Sequence, residues 1–208
     1  VVAAKDIAII HGPPGTGKTT TLVESIVHGL KREPQVLVCA PSNAAIDWVV
    51  EKLFAAGVNV VRIGHPARVT QENLNHTLDA QTSRHTSYKD LKMVKRRAAE
   101  LRDMAFKYKR NFGHEEREQR RLLLGEADSL RKEASHLQFY ITTDILSRAQ
   151  VIATTLVGAA NPVVRERRYG TVFIDEAAQA LEPATWIPIL KAQRVVFAGD
   201  HCQLPPTI

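Results

Sequence analysis

No apolar run in this sequence approaches the roughly 20 residues needed to cross a bilayer, which excludes a helical membrane span. The opening Val1-Val2-Ala3-Ala4-Lys5-Asp6 lacks the basic-then-apolar order of a secretory signal. Cysteine is scarce: Cys39 sits in an apolar run and Cys202 in a polar one, and two isolated thiols make neither a disulfide framework nor a metal-ligand spacing. The eight histidines show no paired spacing of that kind either. The expectation is an intracellular protein, cytoplasmic or nuclear, with reduced thiols and no membrane partner.

What is present is enough apolar material for one buried core. The chain has 208 residues, 44% of them hydrophobic, and domains commonly run to about 100 to 200 residues. Its formal charge of +6 is localised: residues 84–133 hold 15 Lys and Arg against 9 Asp and Glu, and the rest of the chain carries 13 of each. The core is formally neutral, and the excess sits in one segment.

Short apolar runs recur at Ile7-Ala8-Ile9-Ile10, Val36-Leu37-Val38-Cys39-Ala40, Val172-Phe173-Ile174 and Val195-Val196-Phe197-Ala198. Two more stand at Val151-Ile152-Ala153-Thr154 and Val60-Val61-Arg62-Ile63. Each reads as a buried strand, because such runs, bounded by Gly, Pro or Asp, suit a parallel sheet covered on both faces. Helical patterns follow the first two, over residues 19–31 and 44–56, and strand–helix alternation implies an α/β fold with a doubly wound, mainly parallel sheet. Ligands then bind at the carboxyl ends of the strands.

Between residues 66 and 145 the pattern becomes long, charged and helical, an insertion dividing the sheet domain into residues 1–65 and 146–208. Leu91, Val94, Ala98, Leu101, Ala105 and Tyr108 recur at spacings of three and four, as do Leu123, Ala127, Leu130, Ala134, Leu137 and Ile141. These are two helix seams, separated by Asn111-Phe112-Gly113-His114, which contains turn formers. They predict an antiparallel helical hairpin. Its charges read either as a solvated face or as a basic patch of Lys92, Lys95, Arg96, Arg97 and residues 107–110.

Gly12-Pro13-Pro14-Gly15-Thr16-Gly17-Lys18-Thr19 fits the G-x-x-x-x-G-K-[ST] pattern and lies between a strand and a helix, as that pattern requires. Its glycines let backbone N–H groups wrap the phosphates of ATP, Lys18 reaches the β- and γ-phosphates, and the Thr19 hydroxyl suits Mg²⁺. Thr20 extends the segment. Asp175 and Glu176 close an apolar strand, where the first carboxylate suits the metal and the second a general base toward water. Beyond this Mg²⁺, the sequence predicts no metal site. Pro41-Ser42-Asn43 offers small polar groups at a helix start, suited either to a plain N-cap or to phosphate contacts.

Four segments now occur in order: GPPGTGKTT from residue 12, APSNAAID from 40, DEAAQALEP from 175 and GDHCQLPP from 199. Together they resemble motifs I, Ia, II and III of superfamily 1 helicases, in the branch of the nonsense-mediated-decay and immunoglobulin-mu-binding-protein helicases. GHPAR at residue 64 and WIPILKA at 186 bring the second of these closer. The resemblance implies a RecA-like domain with Lys18, Glu176 and Gln203 in catalysis, Gln203 sensing the γ-phosphate and Gln179 positioning water or metal. It implies contacts to single-stranded RNA or DNA from Pro41, Ser42, Asn43, Thr154, Thr155 and Gly158, and movement 5′ to 3′. Cys202 stands where related helicases often carry a longer polar residue.

The resemblance also implies an upstream glutamine motif, a small β-barrel and a second RecA-like domain, which this stretch does not contain. A single second-domain arginine contributes about 10³ to 10⁵ in rate in related chemistry. The stretch alone is therefore expected to be a monomer that binds nucleotide weakly, hydrolyses it slowly and unwinds nothing. The alternative from the same residues is a nucleotide-gated clamp or remodelling ATPase whose hairpin binds a protein.

Overall fold

The computed structural model describes residues 1, 3–13, 15–107 and 113–202. Six strands form one sheet: β1 (Ile7–His11), β2 (Val36–Ala40), β3 (Val60–Ile63), β4 (Val151–Thr155), β5 (Tyr169–Ile174) and β6 (Ala192–Gly199). Their order is β1-β6-β5-β2-β4-β3, and every pairing is parallel. All six expected strands are present. α1 (Lys18–Gly29) follows β1 and α2 (Asn43–Ala55) follows β2, each starting one residue before its expected position.

The period of two divides the central strands between the faces. Val36, Val38 and Ala40 of β2 join Leu22 and Ile26 of α1 and Ile46, Val49 and Leu53 of α2 in one buried cluster, with Phe173 and Val196 from neighbouring strands. Leu37 and Cys39, at the alternate positions of β2, are equally buried, so both faces there are covered. Burial pushes the Cys39 thiol far above its ordinary range, outweighing the pull of the Arg62 and Lys191 charges and leaving it an inert core residue. β1 differs from expectation. As the edge strand it buries only Ala8 and Ile10, and Ile7 and Ile9 are 60% and 71% exposed.

The chain divides into two compact units, Val1–Gln81 with Ile145–Ile208, and Thr82–Asp144. The first boundary thus falls later than residue 65, because residues 66–77 are tied to the sheet through a buried charge. Arg62, fully buried in β3, donates from Nε to Asp47 Oδ1 of α2 at 2.8 Å and from Nη2 to Asn43 Oδ1 at 2.9 Å. Asp47 Oδ2 accepts from the Thr70 N–H at 2.9 Å, and its carbonyl from Asn73 Nδ2 at 3.0 Å. Arg62 Nη1 donates to the Ile63 carbonyl at 2.6 Å, so every side-chain polar atom of Arg62 and Asp47 has a partner, which is what makes a buried ion pair tolerable.

In the second unit, α4 (Tyr88–Phe106) and the part of α5 (His114–Arg148) up to Asp144 run antiparallel; α3 (Leu78–Arg84) precedes them. Three cross-contacts fix the direction: His85 with Asp144 at 3.1 Å, Lys95 with Gln138 at 2.8 Å, and the Arg120 guanidinium 4.4 Å from the Phe106 ring centre. Leu91, Ala98, Leu101 and Ala105 are buried, as are Ala127, Ala134 and Ile141; Val94, Leu123, Leu130 and Leu137 are half-buried seam positions. Tyr108 and the first half of the expected turn, Asn111-Phe112, lie outside the described residues. Arg96 and Arg97 both pair with Glu100, so part of the basic excess is neutralised along the helix. No helix among the described residues is long and apolar enough to cross a membrane.

Asp47→Ala strands the Arg62 charge and the Thr70 N–H, and should cost about 3–5 kcal/mol in urea unfolding. Glu100→Ala, removing an exposed partner, should stay within about 0.5 kcal/mol. Equal effects would refute the assignment of stability to the buried knot.

Candidate nucleotide site

β1 ends at His11, and the chain turns through Gly12 into a loop whose Gly15 and Gly17 have φ of 78° and 84°. That left-handed backbone favours glycine, as a loop that turns its N–H groups toward an anion requires. Gly17 leads directly into α1, whose first turn has no side-chain cap and no acidic residue. Its orphan N–H groups and the helix dipole therefore face the loop with positive potential. Thr16 Oγ1 donates to the Pro13 carbonyl at 2.7 Å, and Lys18 Nζ to the same oxygen at 3.0 Å, drawing the ammonium across the loop. Pro13 and Thr20 are exposed; Pro14 lies outside the described residues.

β5 delivers Asp175 beside this loop, its N–H held by the Cys39 carbonyl of β2 at 2.9 Å. The carboxylate is 3% exposed, and burial pushes its pKa up to about 6 against the pull of the Glu176 N–H, the Lys18 charge and a Thr19 hydroxyl bond. Thr19 and Asp175 thus lie side by side, a hydroxyl and a buried, under-compensated carboxylate beside the loop. This oxygen-only pair fits Mg²⁺, and the raised pKa marks where a cation's charge would be felt.

Glu176 is the one non-glycine residue with positive φ among the described residues, at 50°. Gln179, in the turn Ala177–Gln179, donates from Nε2 to Glu176 Oε2 at 3.3 Å. Gly199 at the end of β6 packs against that turn so closely that a Cβ would sit 3.0 Å from the Ala178 nitrogen. The next residue, Asp200, is held below the ordinary carboxylate range first by the Cys202 N–H, at 3.0 Å. Gln203 lies outside the described residues.

A second group of loops leaves β2 and β4. Ser42 caps α2, accepting the Ala45 N–H at 3.1 Å. Pro41 and Asn43 are half-buried, and Asn43 gives its oxygen to Arg62. Thr155 Oγ1 accepts the Gly158 N–H at 3.1 Å. Thr154 departs from the role expected of it: the residue is fully buried, with its hydroxyl beneath Gly158, so it presents nothing to a strand.

This geometry agrees with what the chain is similar to. Residues 1–208 match a single family, the AAA domain. The chain belongs to that family. Over 99% of its length this AAA domain is 39% identical to DNA-binding protein SMUBP-2 of Rattus norvegicus, of which it covers 21%. It is 40% identical, over its whole length, to DNA polymerase alpha-associated DNA helicase A of Schizosaccharomyces pombe, covering 30% of that protein. It is 38% identical to a regulator of nonsense transcripts 1 homolog of Arabidopsis thaliana, covering 15%. The AAA domain thus spans less than a third of each of these relatives.

The structure adds residues that spacing did not single out. Arg62 had a signal, a charge inside an apolar strand. His11, Asp200 and His201 had none, being brought together only by the β1–β6 pairing.

Asp175 carries the prediction here. Its folded pKa, about 6, exceeds its unfolded value near 3.8, so its contribution to stability is complete below about pH 4 and lost as pH rises through about 6. Asp175→Asn should therefore stabilise the nucleotide-free domain at pH 7.5 by on the order of 2 kcal/mol and leave it unchanged at pH 4. Urea midpoints at the two pH values measure this; a pH-independent difference would refute it.

Proposed function

We propose that this AAA domain is the ATP-binding and ATP-hydrolysing motor domain of a superfamily 1 helicase, moving 5′ to 3′ on single-stranded RNA or DNA. The observation that carries the reading is the contact between the Thr19 hydroxyl and the buried Asp175 carboxylate beside the glycine-rich loop. Two relatives are named as a helicase and a DNA-binding protein, which supports the same reading.

In it, the loop N–H groups and Lys18 hold the β- and γ-phosphates, and Thr19 and Asp175 would hold Mg²⁺, which would supply charge neutralisation. Glu176 is the general base: water attacks the γ-phosphorus, the bond to the ADP oxygen breaks, and the carboxylate takes the proton. Gln179 occupies one Glu176 oxygen, leaving the other for water. Gln203 senses the γ-phosphate. Pro41, Ser42, Asn43, Thr155 and Gly158 hold the strand backbone, whose phosphates carry no base information. A second RecA-like domain of the same monomer completes the motor, inside the cell.

The full-length protein tests this. Single-stranded RNA or DNA should raise its ATP turnover, Glu176→Gln should keep ATP binding while lowering turnover by about 10² to 10⁴, and Lys18→Ala should lose both. Turnover indifferent to either strand would favour a protein clamp, and wild-type turnover in Glu176→Gln would move the base elsewhere.

A further inference from the structure

The parallel pairing of β1 with β6 sets His11 opposite Gly199, so the next residues, Asp200 and His201, emerge beside the His11 ring. His201 Nδ1 stands 3.0 Å from His11 Nε2, and that same nitrogen stands 3.5 Å from Asp200 Oδ1. One ligand atom from each of the three residues lies within 4.8 Å of the others. We propose that His11, Asp200 and His201 form a binding site for a divalent transition metal of the zinc class, separate from the Mg²⁺ position at Thr19 and Asp175.

The argument is geometric. Zinc binds imidazole nitrogen and carboxylate oxygen at about 2.0–2.2 Å, so two ligands on one tetrahedral ion stand about 3.3 Å apart. The two short separations bracket that value. The donor set is also chemically selective: two imidazoles suit zinc, copper, iron or nickel, whereas magnesium prefers oxygen.

The surroundings hold the ligands in the required form. With Nδ1 on the metal, the His201 proton resides on Nε2, and Cys202 Sγ lies 3.5 Å from that nitrogen as an acceptor. The Cys202 N–H is 3.0 Å from Asp200 Oδ1 and steadies the carboxylate. Metal ligands are ordinarily oriented by such outer partners. Asp200 is buried, while the two rings are exposed, which gives an anchored carboxylate at the base and an open approach for an ion. Three protein ligands leave a fourth position for water, the arrangement of an exchangeable site. Without a metal, the same two rings share one proton as an N–H···N pair, and the experiment separates the two.

Co²⁺ titrated into the full-length protein, without nucleotide or Mg²⁺, should bind in one equivalent beyond any other zinc site of the chain. It should give the visible d–d spectrum of a low-coordinate nitrogen–oxygen site, and Zn²⁺ should displace it. His11→Gln and His201→Gln should each weaken that equivalent at least tenfold, whereas Thr19→Ala should leave it unchanged. Circular dichroism and thermal midpoints confirm that the variants are folded. A Co²⁺ stoichiometry identical in wild type and both histidine variants would overturn the proposal, leaving a proton-sharing pair. A thiolate-to-cobalt charge-transfer band lost in Cys202→Ser would overturn the assigned ligand set.

Discussion

All six strands run in the same direction, and that constraint organises everything else in the first unit. A parallel strand needs a crossover before its neighbour, so helices cover the central strands and the apolar runs lose any alternation of polarity. It also sends every strand's carboxyl end to one edge. His11, Ala40, Thr155, Ile174 and Gly199 are the last residues of five strands, and the glycine-rich loop, Ser42, Gly158, Asp175 and Asp200 lie just beyond them. Segments far apart in sequence become neighbours without any long-range signal in the residues themselves.

Among the described residues three carboxylates are buried near this edge, Asp47, Asp175 and Asp200, and the first two are treated differently. Asp47 has a guanidinium at 2.8 Å and further donors from Thr70 and Asn73, so its charge is matched within the fold. Asp175 is met by the Glu176 N–H, the Thr19 hydroxyl and the Lys18 charge, and burial, helped by the Glu176 charge, outweighs them, raising its pKa to about 6. A fold selected for stability alone would have little reason to keep the second arrangement. The contrast is what the proposed role of Asp175 toward an outside cation requires, and it leaves Asp47 as a structural tie that also orients Asn43 through their shared partner, Arg62.

Much of this was legible from residue pattern. The strands were visible because short β-branched runs between turn formers have few other uses, and the hairpin seam because Leu91, Ala98 and Leu101 repeat at helical spacing. Position within the sheet was less legible. Nothing in Ile7-Ala8-Ile9-Ile10 marks it as an edge strand with Ile7 and Ile9 open, since local hydrophobicity does not encode the number of neighbours. Thr154 and Thr155 look alike in sequence, yet the pleat turns one inward and leaves the other to bond Gly158. The two histidines are 190 residues apart, and only the β1–β6 register brings them into contact.

The strand order places the end of β2 between the two groups of loops. The Cys39 carbonyl accepts the Asp175 N–H, and the Ala40 carbonyl accepts the Leu156 N–H at 3.1 Å. The phosphate-side and strand-side segments are therefore hooked onto consecutive residues of one fully buried strand. Such a ladder resists gradual deformation, because close-packed interiors shift between discrete arrangements rather than bend. Under the proposed function, coupling between the two groups would then run through the turns and helix starts just beyond the ladder. Glu176, in its left-handed conformation, stands at one such departure point, and Asn43, held through Arg62, at another. Under the proposed function, a change of charge at Asp175 would act first on Glu176 and its Gln179 partner, and the turn Ala177–Gln179, packed against Gly199, would carry it to the end of β6.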